Sequence, residues 1–442
     1  MSEIELTPEQ KQIVLAPVGE PRAVFLEGPA GCGKTTAGVR RMSYLLDVGV
    51  RADRTLVWVP QRSLGRPYRE ALRHPSARPG TLVDVLSVDG LARRTIELFW
   101  PVTAERAGFD PTRGPVFLTL ETTQYYMDQV LEPFVEAGAF GDVTVSRNRL
   151  LSQIIDNLNK AALVGFSHTE IGARLIAAWD GPSSRERVYE AVQLAGSAFR
   201  DYCLQHNLLD FSLQLETFAR HVWPCPECKA YLLRRYRHVI ADNVEEDVPV
   251  AHDLLRQWLT EAASALLIYD QDGGLRTYLG ADPVGARALA EQCEQRVTLS
   301  ASFVSSGAVQ ALSSGLLRQA PVERTDRGEP GPTLVQLEGS LNSLQGHFHT
   351  QLLFKVVDEV LRLTRDEQVL PGEIAIVAPF VDDALRFALV NEFERHGTRV
   401  RTHRPSRALH DEPAIRCLLT LCQLAHPHWE MSPPHHDMAQ TL

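Results

Sequence analysis

No stretch of this 442-residue chain is apolar over anything near the ~20 residues that a membrane-spanning helix needs. The first nine residues include Glu3, Glu5 and Glu9, so the basic start and apolar centre of a secretory signal are lacking as well. These two absences lead to the expectation of a cytoplasmic protein with no membrane partner. Cysteine is sparse: seven residues, an odd number without regular spacing, argue against a disulfide framework. Cys225-Pro226-Glu227-Cys228 has the spacing of half a zinc site, but no second CxxC or HxxxH follows at the usual distance, and free thiols are expected. His426, His428, His435 and His436 read as a solvated polar tail. An excess of positive charge is also missing, because the net charge is −10, and the field of the whole chain would repel a phosphate backbone. The first hundred residues nevertheless hold 14 Lys and Arg against 11 Asp and Glu, so a nucleic-acid groove would have to be local.

What the chain does contain is one well-defined motif. Gly28-Pro29-Ala30-Gly31-Cys32-Gly33-Lys34-Thr35-Thr36 fits G-x-x-x-x-G-K-[ST] and follows the apolar run Ala23 to Leu26. A strand, a glycine-rich turn and a helix (Thr36 to Leu46) in that order make a phosphate cradle. The backbone N–H groups of Gly28, Ala30, Gly31, Cys32, Gly33 and Thr36 can line it, Lys34 can reach β- and γ-phosphates, and the Thr35 hydroxyl can ligate Mg²⁺. The expected cofactors are ATP and Mg²⁺. Ahead of it, Thr7 and Pro8 mark a helix start, and Gln10 is placed to read an adenine edge through one donor and one acceptor.

At this length two to four domains are expected. Strand-like runs at Arg54 to Val59 and Thr81 to Val88 alternate with helical stretches, the pattern of a parallel, doubly wound α/β sheet. From 101 to 207 the texture becomes helical, notably over Gln124 to Phe134, Leu150 to Leu163 and Arg185 to Gln205. Lys160, Arg147 and Arg149 in this stretch are candidate phosphate contacts or simply a solvated helix face. The α/β pattern resumes at Leu208, and Val239-Ile240-Ala241-Asp242 is a short strand ending in an acid suited to hold a metal's water shell. Ala265 to Asp270 is a second such strand. A third run, Arg296 to Ser306, precedes a helix; Ala320 to Pro332 reads as a linker, and Leu334 to Leu337 and Ile374 to Ala378 read as strands of a further α/β unit.

The order of these motifs resembles superfamily 1 DNA helicases of the UvrD/Rep/PcrA type. The likeness rests on Leu6 to Gln10, Gly28 to Thr35, Leu209-Asp210-Phe211, Val239 to Glu246, and Asp270 to Asp282. It implies a P-loop NTPase with a RecA-like parallel sheet (1–100 and 208–283), a helical insertion (101–207) and a partial second RecA-like domain (284–442). It also implies Lys34 and Asp242 as catalytic residues, Thr35 and Asp242 at the metal, single-stranded DNA as partner, and a role in DNA repair with a repair-protein partner.

The departures bear on turnover. Where the family has D-E-x-Q-D, this chain reads Asp242-Asn243-Val244-Glu245-Glu246, so an amide stands where the general base is expected, and Glu245 or Glu246 is the candidate substitute. Gly273 replaces the glutamine that resembles a γ-phosphate sensor, Leu279 replaces an arginine, and Val304 stands where N-Y-R-S carries its arginine; Arg276 is a nearby candidate to compensate. The family's later motifs have no counterpart after Arg404 to Arg407, which suggests a fragment or a short form. Two readings follow: a DNA-dependent ATPase and translocase, or an ATP-binding module that hydrolyses poorly and acts as a switch or scaffold. A P-loop kinase is a more remote third. Candidate DNA contacts, with core packing as the alternative for each aromatic, are Trp58, Arg62, Tyr68, Arg93, Trp100, Tyr278 and Trp429.

Overall fold

Ala23, Val24, Phe25 and Leu26 alternate between two separate apolar cores, Ala23 and Phe25 facing one and Val24 and Leu26 the other. A strand buried on both faces needs helices on both sides, and that arrangement organises the α/β fold. The computed structural model describes residues 5–74, 82–141, 144–319, 341–402, 413–429 and 431–441. It divides into two units, 1–338 and 339–442.

The first unit holds eight strands among its described residues: β1 (Ala23–Gly28), β2 (Thr55–Trp58), β3 (Asp84–Leu86), β4 (Val116–Phe117), β5 (Leu208–Leu209), β6 (His238–Asp242), β7 (Ser264–Asp270) and β8 (Gln295–Thr298). Six of them form one parallel sheet in the order β3-β2-β6-β7-β1-β8. Strand β8 pairs with β1, which places Gln295–Thr298 in this first sheet and not in a second α/β unit.

One face is covered by the helices Pro8–Val14 (α1), Lys34–Asp47 (α2) and Arg66–Arg73 (α3), which contribute Ile13, Ala37, Met42, Leu45 and Tyr68 to the core. Thr7 and Gln10 form a reciprocal capping box at the start of α1. The other face continues into the helical region. There, helices Leu120–Glu136, Arg147–Val164, Ile171–Ala177 and Ser184–Gln205 lie between β4 and β5, which pair with each other in parallel and close the excursion. Asn207, at φ 53°, fastens this closure by donating to the carbonyls of Asp110 and Arg113 and accepting from the Asp110 N–H.

Where the chain returns, Asp210 caps helix Phe211–Thr217 and pairs with Arg200 at 2.7 Å, both side chains fully buried. Ser212 completes that network by accepting from Arg200 and donating to Asp210.

Among the described residues of the second unit all regular structure is helical. Helices His349–Arg365 and Asp383–Arg395 share a small core of Val357, Leu361, Leu389 and Phe393. The run Ile374 to Ala378, expected as a strand, pairs with no described strand, and a strand without a ladder partner has no means of satisfying its backbone. The segments Ala320 to Pro332, Leu334 to Leu337 and Arg404 to Arg407 lie outside the described residues. No helix among the described residues is long and apolar enough to cross a membrane.

Candidate functional site

The carboxyl ends of β1, β6 and β7 are adjacent in the sheet, so Gly28, Asp242 and Asp270 meet although the chain separates them widely. Gly28 opens the glycine-rich loop, which runs directly into α2. Gly31 and Gly33 adopt φ of 77° and 82°, a region closed to most side chains. A Cβ on Gly33 would also lie 2.4 Å from Gln10 Nε2 and would push that amide aside.

Lys34 is buried at the start of α2. Its Nζ donates to the carbonyls of Gly28 and Pro29 at 2.9 and 2.6 Å, approaches Cys32 Sγ at 3.6 Å, and pairs with Asp270 at 3.1 Å. Burial raises the Cys32 thiol above its ordinary pKa. Gln10 faces the same loop. Its Nε2 donates to Cys32 O at 3.2 Å, with Gly33 O at 3.5 Å, while its Oε1 accepts from Thr7 N–H. Both ends of the amide thus serve the loop and the cap.

Asp242 lies at the end of β6, fully buried, and its Oδ2 accepts from the Tyr68 hydroxyl at 2.8 Å. Its Oδ1 has no hydrogen-bond partner in good geometry, although the Thr35 hydroxyl lies close enough to lower the carboxyl's pKa. Desolvation outweighs these contacts and raises Asp242 overall.

Asn243 follows at φ 59°, a left-handed conformation that asparagine tolerates. Glu245 turns inward: its Oε2 accepts from Asp270 N–H at 2.9 Å, and its Oε1 faces Asn243 Nδ2 at 3.4 Å. Burial pushes the Glu245 carboxyl up to about 8. Glu246 Oε1 accepts from the N–H groups of Gly274 and Leu275 at 2.8 and 3.2 Å. Both candidate bases are therefore engaged with backbone N–H groups, Glu245 at the end of β7 and Glu246 in the segment that follows it.

Two contacts had no signal in the sequence. Asp272 Oδ2 accepts from the Ala30 N–H of the glycine-rich loop at 3.0 Å. Residues 302–304 lie across that loop, with Phe303 N–H donating to Gly31 O at 2.9 Å and Val304 Cγ2 2.2 Å from the position of a Cβ on Gly31. Arg276 faces the side-chain amide of Gln61.

For three of the aromatic candidates the structure decides in favour of core packing. Trp58, Tyr68 and Trp100 are buried and donate to Asp247, Asp242 and the Arg113 carbonyl, so they serve the core and not a stacking surface. Tyr278 is 79% exposed, Arg62 is exposed, Arg93 is exposed over the Phe117 ring, and Trp429 stacks on His426 in the second unit. Arg147 is engaged by Asp128 and Glu132. Cys225 and Cys228 are free, and among the described residues no group of three or more His, Cys, Asp or Glu is placed to hold a metal ion.

Compared with known proteins, the chain matches no protein-family model and no curated sequence.

Proposed function

We propose that this chain is a UvrD-like helicase homologue, a RecA-type P-loop protein of the cytoplasm that binds ATP with Mg²⁺ at residues 28–36 and binds single-stranded DNA in repair or recombination. The observation that carries the nucleotide reading is the convergence of Lys34, Thr35 and Asp242 at the carboxyl end of a parallel sheet, where the buried Asp242 carboxylate feels both the Thr35 hydroxyl and the Lys34 charge and its Oδ1 has no hydrogen-bond partner in good geometry. A Mg²⁺ ion of this kind needs a hydroxyl and a carboxylate at its water shell, with phosphates completing it, so a three-carboxylate cluster is not required. Thr35 and Asp242 would hold it, Lys34 would reach the phosphates, and the ion would neutralise phosphate charge. The DNA component rests on the family resemblance.

A second reading, an ATP-binding switch or scaffold that hydrolyses poorly, is favoured by specific observations. Asn243 cannot accept a proton, Glu245 and Glu246 are bonded to backbone amides, and the hydrophobic Val304 lies beside Gly31. Loss of a general base costs ~10²–10⁴ in rate.

The test is calorimetric binding of ATP·Mg²⁺ together with hydrolysis measured with and without single-stranded DNA, using Lys34→Ala as control. Binding lost in the variant is expected, with turnover slow. DNA-stimulated turnover would favour the motor, and binding without turnover the switch. Absence of nucleotide binding by the native chain would overturn both.

A further inference from the structure

Asp270 ends β7 and Asp272 lies two residues beyond it, and the two carboxylates hold the two kinds of donor that a phosphate would use. Asp270 Oδ2 pairs with Lys34 Nζ at 3.1 Å, and Asp272 Oδ2 accepts from Ala30 N–H at 3.0 Å. The loop is fastened from both sides. Asp272 N–H donates to Asp270 Oδ1 at 2.8 Å, Gln271 N–H donates to Gly28 O at 2.9 Å, and Glu245 and Glu246 hold the amides of Asp270, Gly274 and Leu275. The carboxylates are thus set in place by an existing framework.

From this geometry we infer that Asp272, with Asp270, determines which anions the glycine-rich loop accepts, admitting metal-complexed polyphosphates and rejecting free phosphate. The inference rests on the nucleotide reading above. A phosphate oxygen and the Asp272 carboxylate cannot both take the Ala30 N–H in a linear bond, and two like charges so close repel. Free orthophosphate offers the donors about the same charge as the two carboxylates it would displace, and gains little. A Mg²⁺-bound nucleoside polyphosphate brings a compensating cation at Thr35 and Asp242 and reaches further loop amides. Its apparent affinity is reduced by the fraction of molecules in which Asp272 occupies Ala30.

The experiment titrates the full chain and its Asp272→Ala and Asp272→Asn variants with ATP·Mg²⁺ and, separately, with inorganic phosphate. Amide hydrogen exchange is followed over residues 28–33 in the protein without added ligand. The expected result for Asp272→Ala is ATP·Mg²⁺ binding about tenfold tighter, measurable phosphate binding absent from the native chain, and faster exchange at Ala30. The exchange readout separates a direct contact from a general loss of negative charge, which would leave Ala30 unchanged. Asp272→Asn keeps the side-chain shape and serves if the alanine variant does not fold; an increase in affinity is expected there too. Equal affinities with unchanged exchange would overturn the inference and leave the nucleotide site standing. No binding by either the native chain or the variants would overturn both.

Discussion

Glu245 and Gly273 occupy one space: a Cβ at position 273 would stand 2.7 Å from Glu245 Oε1 and 2.8 Å from its Cγ. The missing side chain at 273 and the inward carboxylate at 245 are therefore two sides of one substitution pattern. Gly273→Gln, which would supply the amide that the family resemblance leads one to expect, should force Glu245 or the backbone aside. Overpacking of this kind costs ~1–3 kcal/mol. Thermal unfolding should show a lowered midpoint, and Glu245→Ala in the same chain should recover most of it. A midpoint unchanged by Gly273→Gln would mean the two residues do not compete.

Protonation of Glu245 gives a second expectation. Its carboxyl rises from the ordinary 4.5 to about 8 because burial penalises the charge. Between those values the folded chain binds more protons than the unfolded one, so its contribution to stability is full below 4.5 and is lost as pH rises through 8. Glu245→Gln should flatten that decline and leave the protein more stable than native above pH 7. Urea denaturation at pH 5, 7 and 9 would show it; parallel curves for the two proteins would contradict it.

His238 acts in the opposite direction. Burial, reinforced by Arg237 and Arg41, lowers its pKa from 6.5 to about 4, while Nδ1 meets Ser264 Oγ at 2.8 Å. The unfolded chain binds the extra proton between those values, so the contribution is full above 6.5 and is lost as pH falls through 4. Replacing His238 with Gln, which does not titrate, should reduce acid sensitivity in that window, measured by the unfolding midpoint at pH 4.5 against pH 7.

The pair Arg200 and Asp210 spans the junction where the helical region returns to the sheet. Arg200→Ala would leave Asp210 buried with its guanidinium partner removed, at a cost of ~3–5 kcal/mol. A loss of unfolding free energy, measured by urea denaturation, of less than a third of that would show that Ser212 and the Leu213 N–H suffice to hold the carboxylate.

Tyr68→Phe removes the hydroxyl that Asp242 accepts. Loss of a bond to a buried carboxylate costs ~1–3 kcal/mol. Calorimetric unfolding at neutral pH should show the loss as a lowered midpoint, and an unchanged midpoint would show that Asp242 does not depend on this donor.

Much of this architecture was legible in local pattern. The strand at Ala23 to Gly28, the glycine-rich turn and the helix after it follow from apolar run, positive-φ demand and helix propensity within some twenty-five residues. The helices of the 101–207 stretch and the acid at the end of β6 follow from short-range periodicity in the same way. These features depend on neighbours in the chain, and the chain displays them. The strand order β3-β2-β6-β7-β1-β8, the joining of Gln295–Thr298 to β1, and the helical character of the described second unit do not have that property. Nor do the hydrogen bonds of Tyr68 to Asp242, 174 residues apart, and of Ala30 to Asp272, 242 apart. Trp58 and Trp100 show the same limit: their composition suits a surface or a core equally, and only burial against the rest of the fold decides. Local sequence determined that a glycine-rich turn would join a buried strand to a helix in an α/β chain, because dihedral preference and amphipathic period act over a few residues. The tertiary structure alone decided which carboxylates would meet that loop, because side chains far apart in the chain become neighbours only when strands pair and the core closes.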